Sequence, residues 1–297
     1  MTRRSYIVPL LVVGGIFSGF TLLFFGITFF FGPSVSLSIG KRIGVIEIIG
    51  PITSSDQTVQ TIVDFRINDS IKGVILRVDS PGGSVGSSQE IYAEVKRLAA
   101  EKPVVVSMGS VAASGGYYVA LPAQKIVANP GTLTGSIGVI MGFTNYQDLF
   151  EKIGLKSNVI KSGKHKDIGS STRPMTDDDR AILQSVIDDV HQQFVEHVAE
   201  GRDLKFATAA KLADGRIYSG RQAKEAGLID ELGNFRDAVT LIAEMVSIEG
   251  EPTLVYPPAP EKNFFDYFIE QAASQFHNGL REESSTGLQY RWNADRR

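Results

Sequence analysis

The chain has 297 residues, of which 43% are hydrophobic and 21% are charged, and its formal net charge is −3 at pH 7. This length accommodates one large domain with accessory segments. The nearly balanced charge argues against a polyanionic partner, so nucleic-acid binding is not expected. Cysteine is absent, which excludes disulfides, thiolate metal sites and a cysteine nucleophile.

The N-terminal part contains an uncharged run, residues 6–32, that is dense in Leu, Val, Ile and Phe. About 20 such residues span a bilayer, so this run predicts a transmembrane signal anchor. Arg3 and Arg4 precede it, which favours a cytoplasmic N-terminus (residues 1–5) and a translocated body. A signal peptide cleaved near residues 34–36 is the alternative, but the apolar run exceeds the roughly 7–15 residues usual for such a segment.

After a linker at residues 33–41, apolar runs that end in turn residues alternate with helical stretches. This alternation predicts an α/β layered fold with a largely parallel sheet. The predicted strands lie at 42–49, 73–79, 103–108 and 125–128, and the predicted helices between them at 57–68 and 87–100. Residues 109–116 are small and are expected to open a further helix, while residues 129–142 read as a glycine-rich loop and strand.

The C-terminal half is predicted to be mainly helical. Thr176 and the three aspartates after it have the composition of a capped helix start, so they predict a helix to about residue 201 rather than a metal site. Shorter helices are expected at 220–226 and 235–246. A proline-rich segment then indicates that the domain spans residues 42–250, with 251–297 as a boundary and tail. Within it, residues 263–279 could form an amphipathic helix that lies on a membrane or docks on protein.

Ser114 is the first candidate for chemistry. It follows a predicted strand and two alanines and precedes Gly115 and Gly116, so it is expected where a helix starts after a tight turn. Unbonded N–H groups at such a point are available to an oxyanion. The same pattern also fits a serine that only caps the helix.

Glycines after the second predicted strand provide a further candidate. Gly82 and Gly83 follow Ser80 and Pro81 at the carboxyl end of that strand, where α/β folds place ligand sites. Their amides, together with that of Gly115, are predicted donors to an oxyanion. A plain turn is the alternative interpretation of this short segment.

A serine nucleophile needs a base within hydrogen-bond reach. His191 and His197 lie on the long predicted helix and His277 lies on the tail, which leaves the loop that contains His165, Lys166 and Asp167. A Ser-His-Asp arrangement would use His165 and Asp167, whereas a lysine base would have to be buried to be neutral near pH 7. A solvated basic turn remains the third interpretation of this loop.

Together the ordered motifs resemble the signal peptide peptidase A family, peptidase family S49, in its short form. The similarity covers roughly residues 42–245, and its motifs are Asp79–Gly83, Gly109–Tyr118, Leu133–Val139, Lys161–Asp167 and Asp214–Ala223. The resemblance implies a fold like that of the Clp protease and crotonase superfamily. It also implies one catalytic half per subunit and a homo-oligomeric ring.

The resemblance assigns roles to individual residues. Ser114 matches the nucleophile, Lys166 the general base and Ser136 the serine that orients the lysine, while Gly82, Gly83 and Gly115 match the oxyanion hole. No metal or cofactor is implied. The expected substrates are apolar peptides, such as cleaved signal peptides, and the expected location is the inner (plasma) membrane with the catalytic domain outside the cytoplasm.

Lys164 differs from the small residue expected in the family, and a second amine there is predicted to affect Lys166 if both approach the site. Two other functions stay open. One is a crotonase-type acyl-CoA enzyme, although its usual carboxylates are not apparent and translocation would separate it from its substrate. The other is a membrane-tethered scaffold or inactive homologue.

Overall fold

The structure is a computed structural model that describes residues 42–258, together with 18, 19 and 21. The described fold belongs to the unit that begins at residue 41. Apart from those three residues, the predicted anchor lies outside the described part of the chain, as do the predicted linker and the helix predicted at 263–279. In the residues that are described, no helix combines the length and the apolar character needed to cross a bilayer.

Between residues 42 and 258 the chain forms eight strands and eight helices. The strands are β1 (Arg42–Ile49), β2 (Ile71–Ser80), β3 (Val104–Ala113), β4 (Lys125–Ala128), β5 (Leu133–Gly135), β6 (Ile217–Ser219), β7 (Glu231–Leu232) and β8 (Thr253–Val255). The helices are α1 (Asp56–Ile67), α2 (Val85–Glu101), α3 (Gly115–Tyr118), α4 (Gln147–Lys152), α5 (Asp177–Gly201), α6 (Phe206–Leu212), α7 (Gly220–Glu225) and α8 (Phe235–Met245).

The described strands form one sheet in the order β6-β5-β3-β2-β1-β8, with β4 also paired to β3 and β7 paired to β4. Every pairing is parallel except that of β5 with β6. Parallel strands need long crossovers, which the intervening helices provide. The predicted α/β layered fold with a largely parallel sheet is confirmed.

Apolar side chains cover both faces of this sheet, as buried parallel strands require. On β1, Ile43 and Val45 point to one face and pack with Ile242 of α8. The alternate residues, Ile46 and Ile48, belong to the larger cluster on the opposite face, with residues of α1, α2 and α5. The period of two along each strand therefore sorts the core into two layers.

Strand β3 pairs with two different strands along the same edge, one after the other. Residues 105–108 pair with β4, and residues 111–113 pair with β5. The Asp79 carboxylate accepts a hydrogen bond from the Val111 amide at 3.0 Å, which supports the backbone between the two halves. The sequence predicted that this strand would end at Met108, so the continuation to Ala113 is a difference, and it brings the chain directly to Ser114.

In the C-terminal half, the start of α5 and the strand β8 are the two features to compare with the sequence predictions. Thr176 and Asp179 form a reciprocal capping box at the start of α5, which confirms the predicted cap. Strand β8 lies within the proline-rich segment and pairs with β1, where Thr253 is opposite Arg42. The sheet therefore continues beyond the predicted boundary at residue 250.

Candidate active site

Ser114 follows β3 directly and is the N-cap of the short helix α3. Its φ of 53° and ψ of −120° are unusual for a residue with a side chain. Its amide donates to the Gly135 carbonyl at 2.8 Å, and its carbonyl accepts from the Tyr118 amide at 2.9 Å. Strain of this kind, about 1–3 kcal/mol, persists where the surroundings fix the backbone, and it is frequent at catalytic residues.

The glycine turn after β2 lies against Ser114, as the sequence predicts. A Cβ atom placed on Gly82, where φ is +97°, would lie 2.6 Å from the Gly115 nitrogen and 2.9 Å from the Ser114 Cβ. A Cβ atom on Gly115 would lie 3.2 Å from the Gly83 nitrogen. Only residues without side chains allow these two turns to approach so closely.

The three predicted amide donors are not equivalent. The Gly82 amide already donates to the Ser80 hydroxyl at 3.1 Å. Those of Gly83 and Gly115 donate to no described acceptor, so both remain available to a bound oxyanion. The Gly82 amide therefore has a partner within the turn, whereas those of Gly83 and Gly115 have none among the described residues.

The glycine turn is fixed to the segment after β1 by two backbone hydrogen bonds. The Ile52 amide donates to the Gly82 carbonyl at 2.9 Å, and the Ser84 amide donates to the Ile52 carbonyl at 2.8 Å. Ile52 is itself buried in the larger core cluster. The backbone around Gly83 is thus fixed by a segment whose Ile52 side chain packs in the core.

Beside Ser114 lies a small cleft. Its apolar walls come from Val85, Tyr118, Val139, Val190 and Phe194. The sequence interpretation missed the two residues from α5. Val190 and Phe194 are four residues apart and so share one helix face, but the helical period alone does not say which surface that face meets.

Behind Tyr118 is a cluster of rings. Its hydroxyl hydrogen-bonds with His197 Nδ1 at 2.6 Å, and the Phe194 ring packs edge-on with a centroid distance of 4.9 Å. The Tyr92 ring stacks on His197 at 4.3 Å. Burial raises the pKa of Tyr118 to about 12 and lowers the pKa of His197.

Ser136 lies one residue after β5, the strand that pairs with the end of β3. Its amide donates to the Arg216 carbonyl at 2.8 Å, and its φ of 51° is also positive. The preceding residue, Gly135, accepts the Ser114 amide. The structure therefore brings Ser114 and Ser136 to the same edge of the sheet, on neighbouring strands.

Lys166 lies apart from this group. It is exposed in a series of turns, where its amide donates to the Gly163 carbonyl at 3.2 Å. No hydrogen bond joins its Nζ to Ser114 or to another described residue, and it does not line the cleft. Within one chain, the structure assembles the serines and glycines but does not place the lysine amine among them.

Three charged residues near Lys166 in the sequence form ion pairs, namely Lys161, Lys164 and Asp167. The partner of Lys164 is Asp178. The Asp167 carboxylate accepts from Lys161 at 2.6 Å and from Arg173, not from His165. Arg173 first and Lys161 second hold the pKa of Asp167 well below its usual range. This pairing weakens the Ser-His-Asp interpretation.

Comparison with known proteins shows the family. A family model described as "Peptidase family S49" matches residues 96–249, and a Clp protease family model matches residues 41–130. A putative protease of Synechocystis is 43% identical over 210 residues, which are 70% of this chain and 76% of that protein. The chain belongs to peptidase family S49.

Two further S49 relatives agree with this membership. A putative protease of Methanocaldococcus jannaschii is 42% identical over 68% of this chain and 65% of its own length. A putative signal peptide peptidase of Enterococcus faecium is 40% identical over 57% of this chain and 50% of its own length. The match thus spans between half and about three quarters of these three relatives, and the predicted resemblance is confirmed.

Among solved structures, a ClpP1 mutant from Listeria monocytogenes superposes with a TM-score of 0.46 and 17% identity, over 67% of this chain and 95% of that one.

Proposed function

We propose that this chain is a serine endopeptidase in which Ser114 is the nucleophile and Lys166 the general base. The observation that carries the proposal is the setting of Ser114, a strained serine with two free amides beside it and an apolar cleft next to it. When a serine hydroxyl attacks a peptide carbonyl, the tetrahedral intermediate carries a negative oxygen. Such amides stabilise that oxygen by donating hydrogen bonds to it.

In the proposed reaction, neutral Lys166 accepts the Ser114 proton while the hydroxyl oxygen attacks the scissile carbonyl carbon. The Gly83 and Gly115 amides donate hydrogen bonds to the oxyanion that forms. The lysine then gives the proton to the leaving amine, and the acyl-enzyme is hydrolysed by water that the same lysine activates. Ser136 orients the lysine amine in this scheme.

The ion pairs of the loop favour Lys166 over its neighbours as the base. Lys161 and Lys164 each pair with a carboxylate, which occupies their amines. Lys166 pairs with no described carboxylate. A lysine without an anionic partner loses its proton more readily once it is covered, which is what a general base needs.

Lys166 is exposed in the single chain, whereas a lysine that acts as a base must be shielded from water. The proposal therefore requires that another part of the protein, or a second copy of the chain, buries Lys166. The segment 140–160 carries exposed apolar side chains, and Ile140 is 95% exposed. The others are Met141, Phe143, Tyr146, Leu149, Ile153, Leu155, Val159 and Ile160. Apolar surface of this extent is unusual on a monomer and supports the proposal that copies of this chain form a ring in which it is covered.

The cleft indicates the class of substrate. Its walls are aliphatic and aromatic, so we propose that it holds an apolar side chain of a peptide substrate. Residues 6–32 are proposed as a single-pass anchor in the inner membrane, with the peptidase domain outside the cytoplasm. Signal peptide remnants, which are apolar and reside in the bilayer, fit both features.

The test is cleavage of an apolar fluorogenic peptide by the full chain in detergent. We expect Ser114→Ala and Lys166→Ala to lower kcat by about four orders of magnitude or more, and the paired Lys164→Ala to leave it within a few-fold. Near-normal activity of Lys166→Ala would make His165 the base to examine. A wild-type protein that cleaves no peptide, either as a ring or as a monomer, would favour the alternative that the chain is a membrane-tethered scaffold or inactive homologue.

A further inference from the structure

Arg173 joins the loop of Lys166 to the start of α5. Its Nε donates to Asp167 Oδ2 at 3.0 Å, and its Nη2 donates to Asp167 Oδ1 at 3.0 Å and to the Asp167 carbonyl at 3.2 Å. Its Nη1 donates to the Pro174 carbonyl at 2.9 Å and to the Asp179 carboxylate. A guanidinium has five N–H donors, and all five are used here.

The helix end of this connection is fixed. Asp179 is 2% exposed, and its carboxylate also accepts from the Thr176 amide at 3.1 Å. Hydrogen bonds from Arg173 first and Thr176 second lower the pKa of Asp179 to about 2, so it stays charged. The same helix carries Val190 and Phe194 in the wall of the cleft. Arg173 is thus anchored to an element that also shapes the candidate site.

The loop end of this connection is Asp167, the residue after Lys166. Arg173 holds both its carboxylate oxygens and its carbonyl, and Lys161 binds the carboxylate as well. Consecutive Cα atoms are only about 3.8 Å apart, so a residue held at its side chain and its carbonyl also restricts the backbone of its neighbour. The connection therefore sets where the stem of Lys166 begins.

The pairing also has an electrostatic effect. An unpaired carboxylate beside a lysine favours its protonated form, which is unable to accept a proton. In this region Asp167 pairs with Arg173 and Lys161, Asp178 with Lys164, and Asp179 with Arg173. The charged or titratable groups of the loop and of the facing helix start are Lys161, Lys164, His165, Lys166, Asp167, Arg173, Asp177, Asp178 and Asp179.

We propose that Arg173 is a positioning residue for the peptidase reaction. It holds the Lys166 loop against the start of α5 through Asp167, and it offsets the negative charge next to the lysine. This inference rests on the proposed function of Lys166. It assigns to a residue outside the resemblance motifs two separable effects, one on geometry and one on charge.

Three variants separate the two effects. Arg173→Met removes both, Arg173→Lys keeps the charge but loses the two-pronged contact, and Arg173→Met with Asp167→Asn removes the unpaired carboxylate as well. We expect Arg173→Met to lower kcat about 10- to 100-fold. In the pH profile of kcat/KM, the acidic limb should move to higher pH by about half a unit. The double variant should return the limb to its wild-type pH without restoring kcat, and Arg173→Lys should lower kcat without moving the limb.

A second readout does not depend on turnover. Acetic anhydride labelling at graded pH, followed by mass spectrometry, compares Lys166 with the exposed Lys211. In Arg173→Met the labelling profile of Lys166 should move to higher pH while that of Lys211 stays. Arg236→Met, which breaks an exposed ion pair with Glu251, is the control and should change neither readout.

Wild-type kcat and an unmoved limb in a folded Arg173→Met protein would overturn the inference. If that variant does not fold, Arg173→Lys and Asp167→Asn decide the question, because wild-type kcat in both also overturns it. Failure of the proposed function has a different signature, namely activity that survives Lys166→Ala.

Discussion

Gly82→Ala is the sharpest test of the site geometry, because the added methyl group meets only backbone and the nucleophile. It would lie 2.6 Å from the Gly115 nitrogen, 2.9 Å from the Ser114 Cβ and 3.0 Å from the Ala113 carbonyl oxygen. The φ of +97° adds strain of about 1–2 kcal/mol for a residue with a side chain. Crowding of well-packed atoms costs a further 1–3 kcal/mol, roughly.

We therefore expect Gly82→Ala to lower the free energy of unfolding by about 2–5 kcal/mol, as the sum of these two contributions. Because the methyl group lies where an oxyanion would meet the Gly115 amide, kcat should also fall about 100- to 1000-fold. Urea denaturation followed by circular dichroism gives the first quantity. Peptide cleavage at temperatures where the variant is folded gives the second.

Gly86→Ala is the matched control for this substitution. Gly86 lies in α2, and no atom lies within 4 Å of an added Cβ. Alanine there should raise stability by about 0.5–1 kcal/mol, because it removes the entropy cost of a helical glycine. Wild-type stability and kcat in Gly82→Ala, or equal losses in both variants, would refute the close approach of the two glycine turns.

Two further predictions concern strain and protonation. Ser114→Gly should be more stable than Ser114→Ala by about 1 kcal/mol, since only glycine relieves the positive φ, and equal urea midpoints would contradict the strain. Burial lowers the pKa of His197 in the folded state, so the unfolded chain binds a proton more readily below about pH 6.5 and stability should fall as pH drops through that range. Thermal unfolding between pH 5 and 7.5 measures this slope, and His197→Gln should flatten it; an unchanged slope would contradict the assignment.

Local chemistry predicted much of the fold. Apolar runs bounded by turn residues placed β1 and β2 well, and the capping residues placed the start of α5. The second half of β3 was missed because, apart from Val111, its residues are Gly, Ser and Ala, which do not favour strands. Its extended form depends on the Asp79 carboxylate and on pairing with β5, which lie far away in sequence.

The site was predictable where it follows the sheet. Strand ends share one edge of a parallel sheet, so Ser114 and the glycines after β2 were expected together. Neither the exposure of Lys166 nor the role of Arg173 followed a periodic pattern, because both belong to irregular loops. Arg173 pairs with Asp167 of the loop and with Asp179 of α5, and sequence spacing does not reveal such contacts.

The hydrogen bond from the Ser114 amide to Gly135 makes the proposed nucleophile part of the sheet's own ladder. That ladder is short at this point, since β5 and β6 have three residues each and β6 is at the edge. Edge strands open locally at a lower free energy than the whole domain. Local opening of β5 and β6 would release both Ser114 and Ser136 from their backbone geometry. The candidate site would then lose its arrangement while the rest of the fold stays intact.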